Sequence, residues 1–301
     1  MGLMLAFCVL APLLDTCAKL ATATIPVGQI TTARFVVQAA LMIPVALWLR
    51  LDWRLSARML GLLGLRAVLL IASTFCFVAA TAVMPIADAL AIVFIEPFIL
   101  LMLGHLIFGN PVGPRRIAAA VVGFMGALLV IQPSIANYGL VALLPMATAL
   151  LFALYMLITQ AIAAHQHPVM QQVHTSWIGA VLCVPLLILA DGTGAASMDP
   201  VMPQGLAWIW LFGVGFWAAA SHMCMTVALR YVPASTMAPL HYLEIVTAVF
   251  LGYAVFGDFP NALTWAGIAV IVASGLYVIH RERITAAQSL PESRAARTAA
   301  E

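Results

Sequence analysis

Two glutamates, Glu96 and Glu244, stand 148 positions apart, each inside a run that is otherwise almost wholly apolar. An ionisable side chain in hydrocarbon is costly unless it faces protein or a wet cavity, so every such residue is a candidate site. Asp88, Ile92 and Glu96 recur every four residues and share one helical face, and His241 and Glu244 do so at i, i+3. A carboxylate beside an imidazole can bind a proton and a polar substrate. Glu96 and Glu244 are therefore the expected proton-coupling pair. A structural role competes with this: Pro97 frees a helix carbonyl, and a polar neighbour such as Glu96 can serve the packing alone.

Other polar residues lie in apolar runs. Arg34 sits deep in the second run with Gln38 one turn on, placed to bind an anionic group or to partner Asp15. Asp15 and Lys19 are four residues apart, close enough to neutralise each other. Arg66 lies nearer the end of its run, from which it can snorkel to the interface. His105, His174 and His222 read more readily as satisfied core histidines than as ligands. Trp217, Ser221 and Met225 form one stripe, and Tyr155 and Tyr242 lie inside runs, so these aromatics fit the wall of a cavity for a planar ligand. Trp48, Trp53, Trp208 and Trp210 fall near run ends and read as interfacial belt residues. The expected substrate-binding set is Glu96, Glu244, His241, Arg34, Asp15, Trp217, Tyr155, Tyr242 and His222.

The elements that must carry these residues are membrane helices. The chain has 301 residues, 64% of them apolar and 8% charged, with a mean hydropathy of +1.09. About 20 apolar residues cross a bilayer, so there is room for roughly ten spans and none for a soluble catalytic domain. Apolar runs fall at 2–21, 27–49, 59–83, 86–108, 115–134, 138–162, 170–190, 206–229, 235–256 and 262–280. They are continuous, unlike the short alternating strands of a barrel, and predict an all-α membrane protein of ten helices. The first run contains Asp15 and Lys19, lacks a basic leader, and reads as a retained span. Arginines follow spans two, four, eight and ten, whereas the loops after the odd-numbered spans carry no Lys or Arg beyond Lys19 at the edge of the first. Both termini are thus expected in the cytoplasm, with residues 282–301 a disordered tail. Glu96 and Glu244 then enter from opposite sides, each about nine residues deep, which puts both near the midplane.

Catalysis has no visible constellation: the sequence contains no H-E-x-x-H, no G-x-S-x-G and no cysteine spacing for a metal, and its single lysine does not complete a phosphate-binding loop. Neither cofactor nor metal is expected, and no nucleic-acid partner. The five cysteines read as small buried hydrophobes. Ala119, Gly123 and Ala127 form a small-residue seam that suits a homodimer or an intramolecular neighbour equally.

Residues 72–110 match residues 220–258 without gaps, with ten identities in 39 positions that include Cys76/Cys224, Pro85/Pro233, Glu96/Glu244 and Gly109/Gly257. Two homologous halves of five spans each must enter the membrane in opposite senses, an inverted repeat of the kind found in secondary transporters. The expected divisions are 1–134, 135–281 and the tail. The sequence resembles the drug/metabolite transporter superfamily, in particular its ten-helix EamA-type members. The resemblance rests on Pro85-Ile86-Ala87-Asp88-Ala89, Glu96-Pro97, Phe108-Gly109-Asn110 with Pro114-Arg115-Arg116, Gly123-Phe124-Met125-Gly126, and Phe256-Gly257-Asp258 leading to Gly267 and Gly275. Where such members usually carry Glu after the glycine, this chain has Asn110 and Asp258. The opening Asp15-Thr16-Cys17-Ala18-Lys19 with Gln29 and Arg34 is similar to a bacterial branch that includes riboflavin and S-adenosylmethionine uptake carriers; other branches export amino acids. The resemblance implies an inner-membrane secondary transporter of a small organic metabolite, working by alternating access with or without proton coupling. An intramembrane enzyme using Glu96, Glu244 and the histidines, and an exporter of another metabolite, are the competing readings.

Overall fold

The computed structural model describes residues 2–109, 113–131 and 138–257, and, beyond these, 262, 265–270, 272–274, 276, 277 and 280. All regular structure among them is helical, as a backbone in lipid must satisfy its own polar groups. In chain order the helices are α1 (Gly2–Thr22), α2 (Val27–Trp48), α3 (Ala57–Thr81), α4 (Ile86–Val93), α5 (Glu96–Phe108) and α6 (Pro114–Ile131). A 3-10 turn, Gly139–Ala142, leads into α7 (Leu143–Ile162), followed by α8 (Pro168–Ala190), α9 (Ala207–Tyr231), α10 (Ala234–His241) and α11 (Glu244–Phe256). Counting the 3-10 turn with α7, six helices among the described residues are long and apolar enough to cross a membrane. Part of the expected span 262–280 and the whole tail lie outside the described residues.

Two expected spans are not continuous. The run 86–108 is split into α4 and α5 at Phe94-Ile95, and the run 235–256 into α10 and α11 at Tyr242-Leu243. At each break the backbone tightens: Ile95 N–H reaches the Ile92 carbonyl at 3.2 Å, and Leu243 N–H the Leu240 carbonyl at 3.0 Å. These are i→i−3 bonds, which leave other carbonyls of the turn without the usual i→i−4 donor. Pro97 accounts for part of the first break by removing a donor, but Ile245 stands at the matching place in the second. The two broken elements begin alike, on Pro85 and Pro233 in extended conformation. They also end alike, on Gly109 and Gly257 with φ of 62° and 75°, the left-handed conformation that closes a helix.

The packing joins early helices to late ones: α1 lies on α9, α2 on α8, α3 on α7, and α10 on α5. Lipid gives helices no hydrophobic drive to associate, so close approach and buried hydrogen bonds must do so. Gly179 of α8 lets the Phe35 ring of α2 lie against its backbone, where a Cβ would collide with the ring. Gly123 of α6 receives the Tyr242 ring in the same way, and Ser274 donates to the Ala119 carbonyl at 2.7 Å. Two members of the small-residue seam are thus occupied by neighbours within the chain. The connection between α8 and α9 is stapled onto the start of α2: Gln29 exchanges both side-chain hydrogen bonds with the Val201 backbone, at 2.8 and 3.0 Å.

Candidate functional site

A cavity of about 90 Å³ lies where α1, α2, α3, α7 and α9 meet both broken elements. Its wall includes Asp15 from α1, Arg34 from α2, Thr74 from α3, Glu96 from α5, His222 from α9, His241 from α10 and Glu244 from α11. Six of the nine residues expected to bind substrate are therefore brought together: Asp15, Arg34, Glu96, His222, His241 and Glu244. Each helix break places its glutamate at the first residue of the following half-helix, where the N-terminal partial charge favours an anion.

The two glutamates differ in their partners. His241 Nδ1 and Glu96 Oε2 form a buried pair at 2.9 Å. Glu244 has no hydrogen bond or ion pair among the described residues, and neither has Asp15. The position matching His241 in the first half is Val93, which also lines the cavity. The glutamate recurs at the matching position 148 residues on, and the imidazole does not.

Facing the carboxyl groups is a chain of hydrogen bonds that begins on Arg34. Its guanidinium donates to the Thr74 hydroxyl and, at 2.7 Å, to His222 Nε2. A guanidinium only donates, so Nε2 carries the lone pair and the His222 proton is on Nδ1. That proton points to the Tyr155 hydroxyl at 3.1 Å, which also accepts from Arg66 at 2.7 Å. Tyr155, fully buried, thus stands behind the cavity wall rather than on it.

Arg66 departs from the sequence expectation. Instead of snorkelling it is 0% exposed. All five of its N–H donors are used: on Thr159, the Gln171 carbonyl, Thr175, Tyr155 and Thr226. Among the described residues no carboxylate lies within ion-pair distance of either arginine. Polar pairs at helical spacing on apolar spans, Tyr155/Thr159 and Gln171/Thr175, were the legible signal for this network. Gln38 is drawn into it through Gln172, at 2.8 Å.

The expected Asp15–Lys19 pair does not form: Lys19 donates to the Met84 carbonyl at 3.0 Å, closing α1 onto the start of α4. Asp88 and Glu96 are separated by the helix break, and Asp88 accepts from the Tyr138 hydroxyl at 3.4 Å. Trp217 lies off the cavity, half-buried with its ring edge-on to Phe216 at 5.0 Å. Tyr242 is fully buried between Phe94 and Gly123, its hydroxyl without a partner among the described residues. The aromatic surface comes from residues that periodicity did not single out, Phe7 and Phe152, which stack at 6.5 Å and pack against both His222 and His241.

Comparison with known proteins agrees with this architecture. The EamA-like transporter family model matches residues 1–132 and again 139–280. A riboflavin transporter of Rhizobium johnstonii is 30% identical over 217 residues, 72% of this chain and 69% of its own length. An S-adenosylmethionine uptake transporter of Rickettsia felis is 23% identical over 73% of this chain and 71% of its own. A pseudopaline exporter of Pseudomonas aeruginosa is 24% identical over 87% of this chain and 89% of its own. One solved crystal structure superposes with a TM-score of 0.72 at 17% identity, covering 90% of this chain and 94% of that one, a likeness of fold.

Proposed function

Since the chain belongs to the EamA-like transporter family and is a multi-pass protein of the bacterial inner membrane, we propose that it is a secondary carrier that moves a small organic metabolite by alternating access. The observation that carries this reading is the convergence of Arg34, Asp15, Glu96 and Glu244 on one partly open cavity between two interrupted helices. Interrupted helices that present charge-binding ends at a central cavity are the usual substrate sites of such carriers.

In this reading residues 1–134 and 135–281 are two five-helix repeats inserted in opposite senses, with both termini in the cytoplasm. Three features support it: the family model matches each half, the breaks fall 148 residues apart, and the packing of α1 on α9 mirrors that of α3 on α7. Glu96 and Glu244 are the proton-coupling groups, and Arg34, Asp15, His222 and His241 complete the substrate site. Tyr155 supports it from behind. Trp217 and Tyr242, which are off the cavity wall, belong to the moving interfaces and not to the ligand. Candidate substrates are riboflavin-like heteroaromatics, S-adenosylmethionine and amino acids. Export is a second reading, favoured by the extent of the likeness to the pseudopaline exporter. A carrier is preferred to an intramembrane enzyme because the family and these relatives are transporters.

The test is uptake into proteoliposomes of labelled riboflavin, S-adenosylmethionine and tryptophan, with and without an imposed pH gradient. Gradient-driven accumulation of one compound above empty vesicles, lost in Glu244→Gln, is the expected result. Equal accumulation without the gradient would remove the proton from the mechanism.

A further inference from the structure

The two buried arginines invite a count of donors. Both lie in the interior, 4% and 0% exposed. Arg66 uses all five of its N–H groups within the protein and has nothing left to offer a ligand. Arg34 uses two, on Thr74 and His222. Its Nε is buried without a partner among the described residues, and the residue lines the cavity. Hydrogen-bond donors out of reach of water and without acceptors are costly, so this edge of the guanidinium is built for an acceptor that arrives from elsewhere. The Nε–H and a neighbouring N–H form a planar fork that matches a carboxylate with two parallel bonds.

The opposite requirement is met in the same cavity. Asp15 and Glu244 line it and have no hydrogen-bond or ion-pair partner among the described residues, whereas the third carboxyl, Glu96, is occupied by His241. The cavity therefore presents one fork of vacant donors and two vacant acceptors. Its volume of about 90 Å³ is small beside the roughly 300–1,000 Å³ of pockets that enclose a drug-sized ligand. That is room for a compact charged head, with any side chain or ring system left to extend through the cavity's open side.

We propose that this cavity recognises the zwitterionic head of an α-amino-acid-type substrate, with its carboxylate on the free Nε edge of Arg34 and its ammonium between Asp15 and Glu244. This rests on the carrier reading above and narrows it. A neutral heteroaromatic leaves both sets of groups unsatisfied, whereas a substrate with an amino-acid head pairs them. Amines alone and carboxylates alone each satisfy half of the site.

The experiment uses the full chain in detergent and in proteoliposomes, with matched probes: S-adenosylmethionine and tryptophan as zwitterions, tryptamine without the carboxylate, indole-3-propionate without the amine, and riboflavin. Binding is read as a ligand-dependent rise in unfolding temperature, and transport as counterflow. In wild type, which needs no variant to fold, at least one zwitterion is expected to bind about tenfold or more tightly than either half-probe. Arg34→Lys, which keeps the charge and loses the fork, is expected to reduce that preference for the carboxylate while leaving tryptamine binding within about twofold. Equal binding of tryptophan and tryptamine overturns the proposal, as does riboflavin counterflow that is unaffected in Arg34→Lys; in the latter case the carrier reading survives. Absence of binding and flux for every probe overturns the proposal and counts against the carrier reading as well.

Discussion

Glu96 and Glu244 open equivalent half-helices, yet only Glu96 holds a histidine: His241 Nδ1 lies 2.9 Å from its carboxylate, and the residue matching His241 in the first half is Val93. Two halves that share a scaffold have thus made two chemically different carboxyl groups. One is engaged in a buried pair, and the other lines the cavity with no hydrogen bond among the described residues to lose on substitution.

This asymmetry separates stability from transport. His241→Val, which copies the first-half residue, leaves a buried carboxyl unpartnered and should cost about 1–3 kcal/mol. Glu244→Gln breaks no hydrogen bond and should stay within about 0.5 kcal/mol, while losing gradient-driven accumulation. Thermal unfolding in detergent, alongside flux in vesicles, checks both.

The donor count on Arg66 predicts an inverted ranking of substitutions. Lysine keeps a buried charge but has three donors where five were used, so Arg66→Lys should be destabilised by about 3 kcal/mol or more. Arg66→Met removes the charge, and its hydroxyl partners Thr159 and Thr175 lie in helices able to satisfy them, so it should be the milder change. A lower unfolding temperature for methionine than for lysine would show that the network depends on the charge itself.

Close approach at Gly123 gives a local test of packing. Gly123→Ala places a methyl against the Tyr242 ring and should destabilise by about 1–3 kcal/mol. Gly64, in α3 with open space around its Cα, is the control: Gly64→Ala should stabilise by about 0.5–1 kcal/mol. Tyr242→Leu should restore part of the loss at Gly123.

Proline is not required for these breaks, although Pro97 contributes to the first. Pro97→Ile copies the second half, where Ile245 follows Glu244 and the break persists. Transport should therefore remain within about threefold of wild type, equivalent to less than about 0.7 kcal/mol. A loss of more than tenfold in initial rate would assign the first break to Pro97 alone.

Topology can be read with reporter labels. Cysteines placed at Arg54 and Gly192 in a cysteine-free background are expected to react from the cytoplasmic and outer sides respectively. Labelling of both from one side would refute the arrangement drawn from the arginine distribution.

Much of this was legible in the sequence because it depends on residue type and spacing. Long apolar runs give helices, and the matched glutamates indicate the centre. What escaped depends on helix rotation and side-chain reach, which spacing does not fix. Arg66 looked able to snorkel because its depth is modest, but its face turns inward to Tyr155 and Thr226. Lys19 was close enough to Asp15, yet its long stem reaches the Met84 carbonyl. Trp217 was at suitable depth on the wrong side of α9. The breaks were invisible because Tyr242-Leu243 contains neither glycine nor proline, so the signal for one of them is tertiary.

Each partner of Arg66 belongs to α7, α8 or α9, the farthest of them, Thr226, 160 residues later in the chain. At roughly 5–20 residues per second of synthesis, the ribosome needs on the order of ten to thirty seconds to deliver that last partner. Throughout this interval α3 carries a cation whose set of acceptors is incomplete, the first of them, Tyr155, following 89 residues after it. The nascent helix must keep that guanidinium at the water interface, or shelter it within the insertion machinery, and admit it to the interior only when the later helices arrive. The residue that locks the finished protein is thus also a timer for its assembly.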